Sequence, residues 1–183
     1  MNIFYLHNDP FECAVMHNDK HCVKMILEYA QLLSTAHRVL DGVSTRTKSP
    51  VSGRQKTVYV LSDKRESILY SATHINHPSA VWVRKSQSNY IWLSQLLHQL
   101  CKEYTYRYGK VHKVERDGLL EELYNWPMNI AQGPFTEPTP AMPDEYKVPG
   151  NSIASYRNYY VGDKQRMAKW KQRSKPDWYT IAA

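Results

Sequence analysis

Two stretches of the chain, residues 11–41 and 79–108, contain no glycine or proline. Uninterrupted runs of that length far exceed a normal strand, so they commit the fold to long helices first. The first run opens on a start signal. Asp9 suits the N-cap, Pro10 the first helical position, and Glu12 the carboxylate of a capping box. Apolar residues then recur at helical spacing: Met16, Val23, Ile26, Leu27, Ala30, Leu33 and His37 form one side, the expected core face. His17, Lys20, His21, Lys24, Glu28, Gln31 and Thr35 line another side. The first long helix is expected over about residues 10–40, with a break near Asn18 as an option and Gly42 as its stop. The second is expected over about residues 79–108, with Trp82, Tyr90, Leu93, Leu96, Leu97, Leu100 and Tyr104 inward and Gly109 at its end.

Between and around these runs the pattern is less regular. Residues 2–6 suit a short strand or a buried arm. Residues 43–57 read as a Ser/Thr-rich basic loop. Residues 58–73 read as a helix, with a strand over 57–61 as the alternative, and 115–125 as a short helix. Six of the ten prolines lie within 127–150, which reads as ordered but irregular coil packed on the domain. A C-terminal helix is expected over about 152–172. The expected architecture is therefore all-α or mainly α. Residues 1–183 should form a compact single-domain helical bundle with one long irregular, proline-rich segment.

Charge narrows the class of partner. The net charge is +7, and two segments without an acidic residue concentrate it. Residues 44–56 carry Arg46, Lys48, Arg54 and Lys56; residues 164–175 carry six basic groups. Arg84, Lys85, Arg107 and Lys110 add cations at the two ends of the second long run. Together with 14 Tyr and five Trp, this favours a nucleic acid, with cations on phosphates and aromatics stacking on bases. Three cysteines without CxxC spacing suit a reduced, cytoplasmic chain rather than a disulfide framework. The absence of a long apolar run argues against a membrane span.

The strongest constellation lies on the first helix, where Lys20, His21, Lys24 and Glu28 share a face. Lys24 and Glu28 can simply be an i,i+4 ion pair. They can equally be a carboxylate held among phosphate-binding cations, where it moves a proton. His17 and His21 have the spacing of two HExxH ligands, but Asn18-Asp19-Lys20 supplies no catalytic Glu, and His74, His77 and His112 complete no recognisable ligand set. No metal and no cofactor are expected.

Four segments carry a family resemblance: DKHxxKMxxExxQLLxxAH from Asp19, NHPSxxWxRxSxxNYxWL from Asn76, EYxxRYGK from Glu103, and AMPDEYKVPG from Ala141. The chain resembles a family of tailed-phage proteins often labelled pyrimidine-dimer DNA glycosylase, and the resemblance covers most of its length. A weaker similarity reaches the phage endonuclease V type. There the interval from Asp19-Lys20-His21 to Glu28 matches that enzyme's catalytic glutamate, and Pro176-Asp177-Trp178-Tyr179 matches its tail near DNA. The resemblance implies a glycosylase and β-lyase in which a primary amine attacks the sugar and Glu28 manages protons. Asn2 disfavours removal of Met1, so the implied amine is that of Met1, Lys20 or Lys24. The implied partner is duplex DNA, contacted also by Trp178 and Tyr179, in the host-cell cytoplasm if the chain is phage-encoded. A non-catalytic nucleic-acid-binding or host-interaction module and a histidine-based metal-dependent hydrolase are the alternatives.

Overall fold

The computed structural model describes residues 1–48 and 53–180; residues 49–52, within the expected basic loop, and 181–183 lie outside the described residues. Helix α1 spans Pro10–Met16, and the Asp9 carboxylate accepts from the Phe11 and Glu12 amides. Helix α2 spans Asp19–Asp41. The expected helical run over 10–40 is therefore two helices, and the break offered near Asn18 falls at His17-Asn18. In a continuous helix the Asp19 and His21 amides would donate to the Val15 and His17 carbonyls. Instead Asp19 donates to the Lys169 carbonyl at 2.8 Å, and His21 to the Asn18 side chain at 2.9 Å. The two freed carbonyls accept from the Arg107 guanidinium, at 2.8 Å from Val15 and 2.9 Å from His17.

The buried face of α2 runs through Cys22, Met25, Ile26, Tyr29, Leu32, Leu33 and Ala36. Val23 and Leu27, assigned to the core by periodicity, are 40% and 42% exposed. The face is turned because the N-terminal arm bonds to Tyr29, whose hydroxyl accepts from the Phe4 amide, and because Cys22 belongs to one of the most readily buried residue types. From Leu32 to Arg38 every residue is buried, so the second half of α2 is the central helix of the fold.

Strands β1 (Val43–Lys48) and β2 (Gln55–Val60) form an antiparallel hairpin: β1 replaces part of the expected loop and β2 overlaps the strand given as the alternative over 57–61, so the expected mainly helical architecture stands with a two-stranded sheet added among the described residues. The expected helix over 58–73 shrinks to α3, Arg65–Ile68. Arg38 explains this. It donates to the carbonyls of Tyr59, Glu66, Leu69 and Tyr70 and to the Glu66 carboxylate, and so holds the segment open around a buried cation.

The second long run also divides, into α4 (Pro78–Val83) and α5 (Gln87–Tyr108). The Ser86 hydroxyl caps α5 by accepting from the Asn89 amide. Gly109, at φ +63°, ends α5 in the left-handed region. Helices α6 (Lys113–Arg116) and α7 (Leu119–Glu122) stand where a single helix over 115–125 is expected, split at Gly118. Residues 127–150 are irregular and ordered, as expected. The Trp82 indole donates to the Thr136 carbonyl, Ser88 to the Gly133 carbonyl, and Asn89 accepts from the Thr136 amide. Helix α8 covers Ser152–Gly162 and stops about ten residues early. Beyond it the chain turns back on α1, and the Trp170 indole donates to the Met16 carbonyl. Among the described residues no helix is long and apolar enough to cross a membrane.

Three buried histidines, His17, His21 and His37, give the fold a pH dependence. Burial pushes the imidazoles of His17 and His37 down to about 4, with the Arg65 guanidinium adding to the effect at His37. In the unfolded chain all three titrate near 6.5. Below that pH the unfolded state takes up protons that the folded state refuses, so stability is complete above about 6.5 and falls with pH down to about 4, and through His21 down to about 2. At pH 5 each histidine removes about 2 kcal/mol. With His21, which burial holds down to about 2 and which removes a like amount, the melting temperature should drop by roughly 12–24 °C between pH 7 and 5, and a flat profile over that interval would contradict the burial of the three rings.

Candidate active site

The N-terminal arm is fixed by a buried hydrogen-bond chain that starts on α1. The His17 Nδ1 lies 2.7 Å from the Cys13 carbonyl, which can only accept, so Nδ1 carries the proton. The Nε2 then accepts from the Tyr29 hydroxyl at 2.9 Å. The same hydroxyl accepts from the Phe4 amide at 3.1 Å. Arg157 adds two bonds to the Leu6 carbonyl, and Ser79 donates to the Met1 carbonyl at 3.2 Å. Ile3 and Leu6 are fully buried. Thus α1, α2, α4 and α8 all grip residues 1–6, and the arm delivers Met1 to one place.

That place is a cleft of about 680 Å³, the size of a nucleotide or small-ligand site. The arm contributes Met1, Asn2 and Phe4; the first half of α2 contributes Lys20, Val23, Lys24 and Glu28. Tyr108, Tyr159, Lys164 and Met167 add to the lining. The Met1 α-amino nitrogen stands 3.9 Å from a Glu28 carboxylate oxygen, and the Lys24 ammonium stands 3.0 Å from the other. Glu28 is only 16% exposed, whereas Lys24 is 69% exposed. The carboxylate therefore faces the amine from a largely desolvated position, and the lysine reaches it from solvent. Lys20 and Lys164 add positive charge to the walls. Phe4 stacks on His21 with ring centroids 4.0 Å apart.

Of the sequence-predicted catalytic residues, Met1, Lys20, Lys24 and Glu28 thus converge on the cleft. His21 borders it without being available for proton transfer. Its ring is 5% exposed, and its Nδ1 shares a 2.6 Å hydrogen bond with the Tyr160 hydroxyl. Burial, then the charges of His17, Lys164 and Lys24, push its imidazole down to about 2, which keeps the ring neutral. His21 is a structural floor. Of the candidate ligands, His77 and His112 are also engaged. His77 caps α4 and His112 caps α6, each accepting from the amide two residues on. Among the described residues no group of three or more His, Cys, Asp or Glu side chains could hold a metal.

The expected nucleic-acid contacts divide sharply. Arg46, Lys48, Arg54 and Lys56 are exposed on the hairpin and its turn, and Lys85 and Lys110 are exposed at helix ends. Arg107 is not available. It is fully buried and bonded to Glu103, Asp19 and two carbonyls. Arg84 is half-buried, and one of its nitrogens donates to the carbonyls of Ile75 and Ala80. Tyr179 is buried against Trp170, and Trp178 is half-buried between Arg157 and Tyr160. The C-terminal tail therefore seals the fold instead of presenting aromatics. The sequence pattern does not single out Phe4, Tyr29, Tyr159 or Lys164 for this site. Tyr29 adjoins Glu28 on the helix, and Lys164 stands out only as one member of a basic run; neither signal has a local spacing that identifies it. The chain matches no protein-family model, no curated protein and no solved structure.

Proposed function

We propose that the protein is a DNA glycosylase with abasic-site lyase activity, acting on damaged or modified bases in duplex DNA. One observation carries this reading: the α-amine of Met1 and the carboxylate of Glu28 approach to 3.9 Å inside a cation-lined cleft. The Met1 side chain is 5% exposed and its α-amine faces the Glu28 carboxylate within the cleft, so that amine is the nucleophile, while the exposed Lys20 and Lys24 hold phosphates. The amine attacks the sugar C1′, and the bond from C1′ to the base breaks. The C1′–O4′ bond then opens as the C1′=N imine forms, and Glu28 carries the amine's two protons, one to the departing base and one to the freed O4′. Loss of a C2′ proton then expels the 3′ phosphate, and water hydrolyses the imine to restore the amine.

The exposed Lys24 ion pair also suits a second reading, a nucleic-acid-binding module in which Glu28 only tempers the charge of its helix. Incubation with duplexes bearing pyrimidine dimers, modified bases or abasic sites, in the presence of borohydride, separates the two. The glycosylase/lyase reading predicts a covalent protein–DNA adduct. Duplex binding without any adduct favours the module.

A further inference from the structure

The hairpin is hard to explain as a stabilising element. All six residues of β1 and Gln55, Lys56, Thr57 and Val60 of β2 are exposed. A two-stranded sheet without a covered face adds little stability of its own. Its base, however, is fixed. Arg38 donates to the Tyr59 carbonyl at 2.9 Å, and a Cβ on Gly42 would lie 2.5 Å from the Arg38 carbonyl oxygen and 3.1 Å from that of Val60. The ribbon is thus presented at a set exit from α2. Residues 43–60 hold four cations and no acid. Register sorts them: Arg46 lies opposite Thr57 and Lys48 opposite Gln55, so these four side chains share one face.

We propose that this hairpin is a second DNA-contacting element, a ribbon that enters the major groove of duplex DNA with its Arg46, Lys48, Gln55 and Thr57 face towards the bases. The proposal rests on DNA as the partner, not on the lyase chemistry. A major groove about 12 Å wide admits a two-stranded ribbon, whose strands lie about 4.8 Å apart. The Arg46 fork matches the O6 and N7 acceptors of guanine, and the Gln55 amide matches the N6 and N7 edge of adenine. Lys48 supplies a phosphate or guanine contact. The hairpin leaves α2 fourteen residues beyond Glu28, about 20 Å along the helix axis, which is about six base pairs of duplex. Groove contact there would hold DNA while the cleft works on one nucleotide.

The test is Arg46→Thr/Lys48→Thr in the full chain, because threonine preserves strand propensity. The probe is an undamaged duplex of about 20 base pairs at about 50 mM salt. Wild type should protect guanine N7 from dimethyl sulfate. The variant should lose that protection and bind roughly tenfold or more weakly, with its melting temperature unchanged. Borohydride trapping on an abasic trinucleotide, too short to reach the hairpin, should be equal in both proteins. Equal duplex binding by the two proteins would overturn the proposal, as would protection confined to adenine N3 in the minor groove or failure of wild type to bind. Should wild type bind through the hairpin yet trap no abasic DNA, the lyase reading fails and this one stands.

Discussion

Replacing Arg107 with alanine should destabilise the protein by about 3–5 kcal/mol, the cost of removing one partner from a buried, hydrogen-bonded ion pair. For a chain of 183 residues that lowers the melting temperature by roughly 6–20 °C. The guanidinium is fully buried and donates to Glu103 at 2.7 Å, to Asp19 at 3.1 Å, and to the Val15 and His17 carbonyls. Its loss leaves those two carbonyls without partners at the α1–α2 break and unties the start of the helix that bears Glu28. Glu103 keeps Arg173, at 2.9 and 2.7 Å, so part of the network survives. Lysine should fail almost as badly, because a single ammonium cannot serve acceptors arranged around a planar fork. Thermal melting of Arg107→Ala and Arg107→Lys beside wild type checks this. If Arg107 contacted DNA instead, alanine would weaken binding and leave the melting temperature where it was.

Glu28→Gln is the second large effect and has the opposite character. Glutamine keeps the shape of the side chain in a position only 16% exposed, so no cavity opens. The lost ion pair with Lys24 is worth about 0.3–0.5 kcal/mol, since that lysine stands in solvent, and the Met1 amine at 3.9 Å lies beyond hydrogen-bond distance of the carboxylate. The melting temperature should therefore move by no more than about 2 °C, and duplex binding should hold or tighten as a negative charge leaves the cleft. Turnover should fall by about a hundredfold or more, because an amide neither accepts the amine's protons nor balances the cation that forms at C1′. Melting, binding and product formation measured on one preparation separate these effects. Retention of more than about a tenth of the wild-type rate would make Glu28 an ordinary helix carboxylate.

Much of the framework is legible in the sequence because local signals suffice for it. Asp9-Pro10 starts α1, Gly42 and Gly109 stop α2 and α5, and the absence of breakers carries each long run between them. The shared face of Lys20, Lys24 and Glu28 follows from helical spacing, and those residues do line one cleft. The errors come from partners far away in the chain. The opened segment after β2 needs Arg38, and the early end of α8 needs Met16 to receive Trp170; the break offered near Asn18 is likewise held by Arg107, ninety residues on from His17. The sequence offers the second strand of the hairpin as the alternative over 57–61, but the first is invisible to periodicity for another reason. With no buried face, it has no apolar alternation to reveal it. Its Thr and Val content was the available signal, and the cations obscured it. Burial then decides which basic and aromatic residues are free. Composition treats Arg107 and Lys110 alike, but one holds the core together and the other is in solvent.

The central claim is that the Met1 α-amine is the nucleophile. The direct measurement is borohydride trapping on an abasic duplex, followed by proteolysis and mass mapping of the nucleotide-bearing peptide. The geometry predicts the added mass on the N-terminal peptide, at the α-nitrogen, because that nitrogen faces Glu28 at 3.9 Å. An adduct on Lys20, Lys24 or Lys164, or no adduct on any peptide, would contradict it.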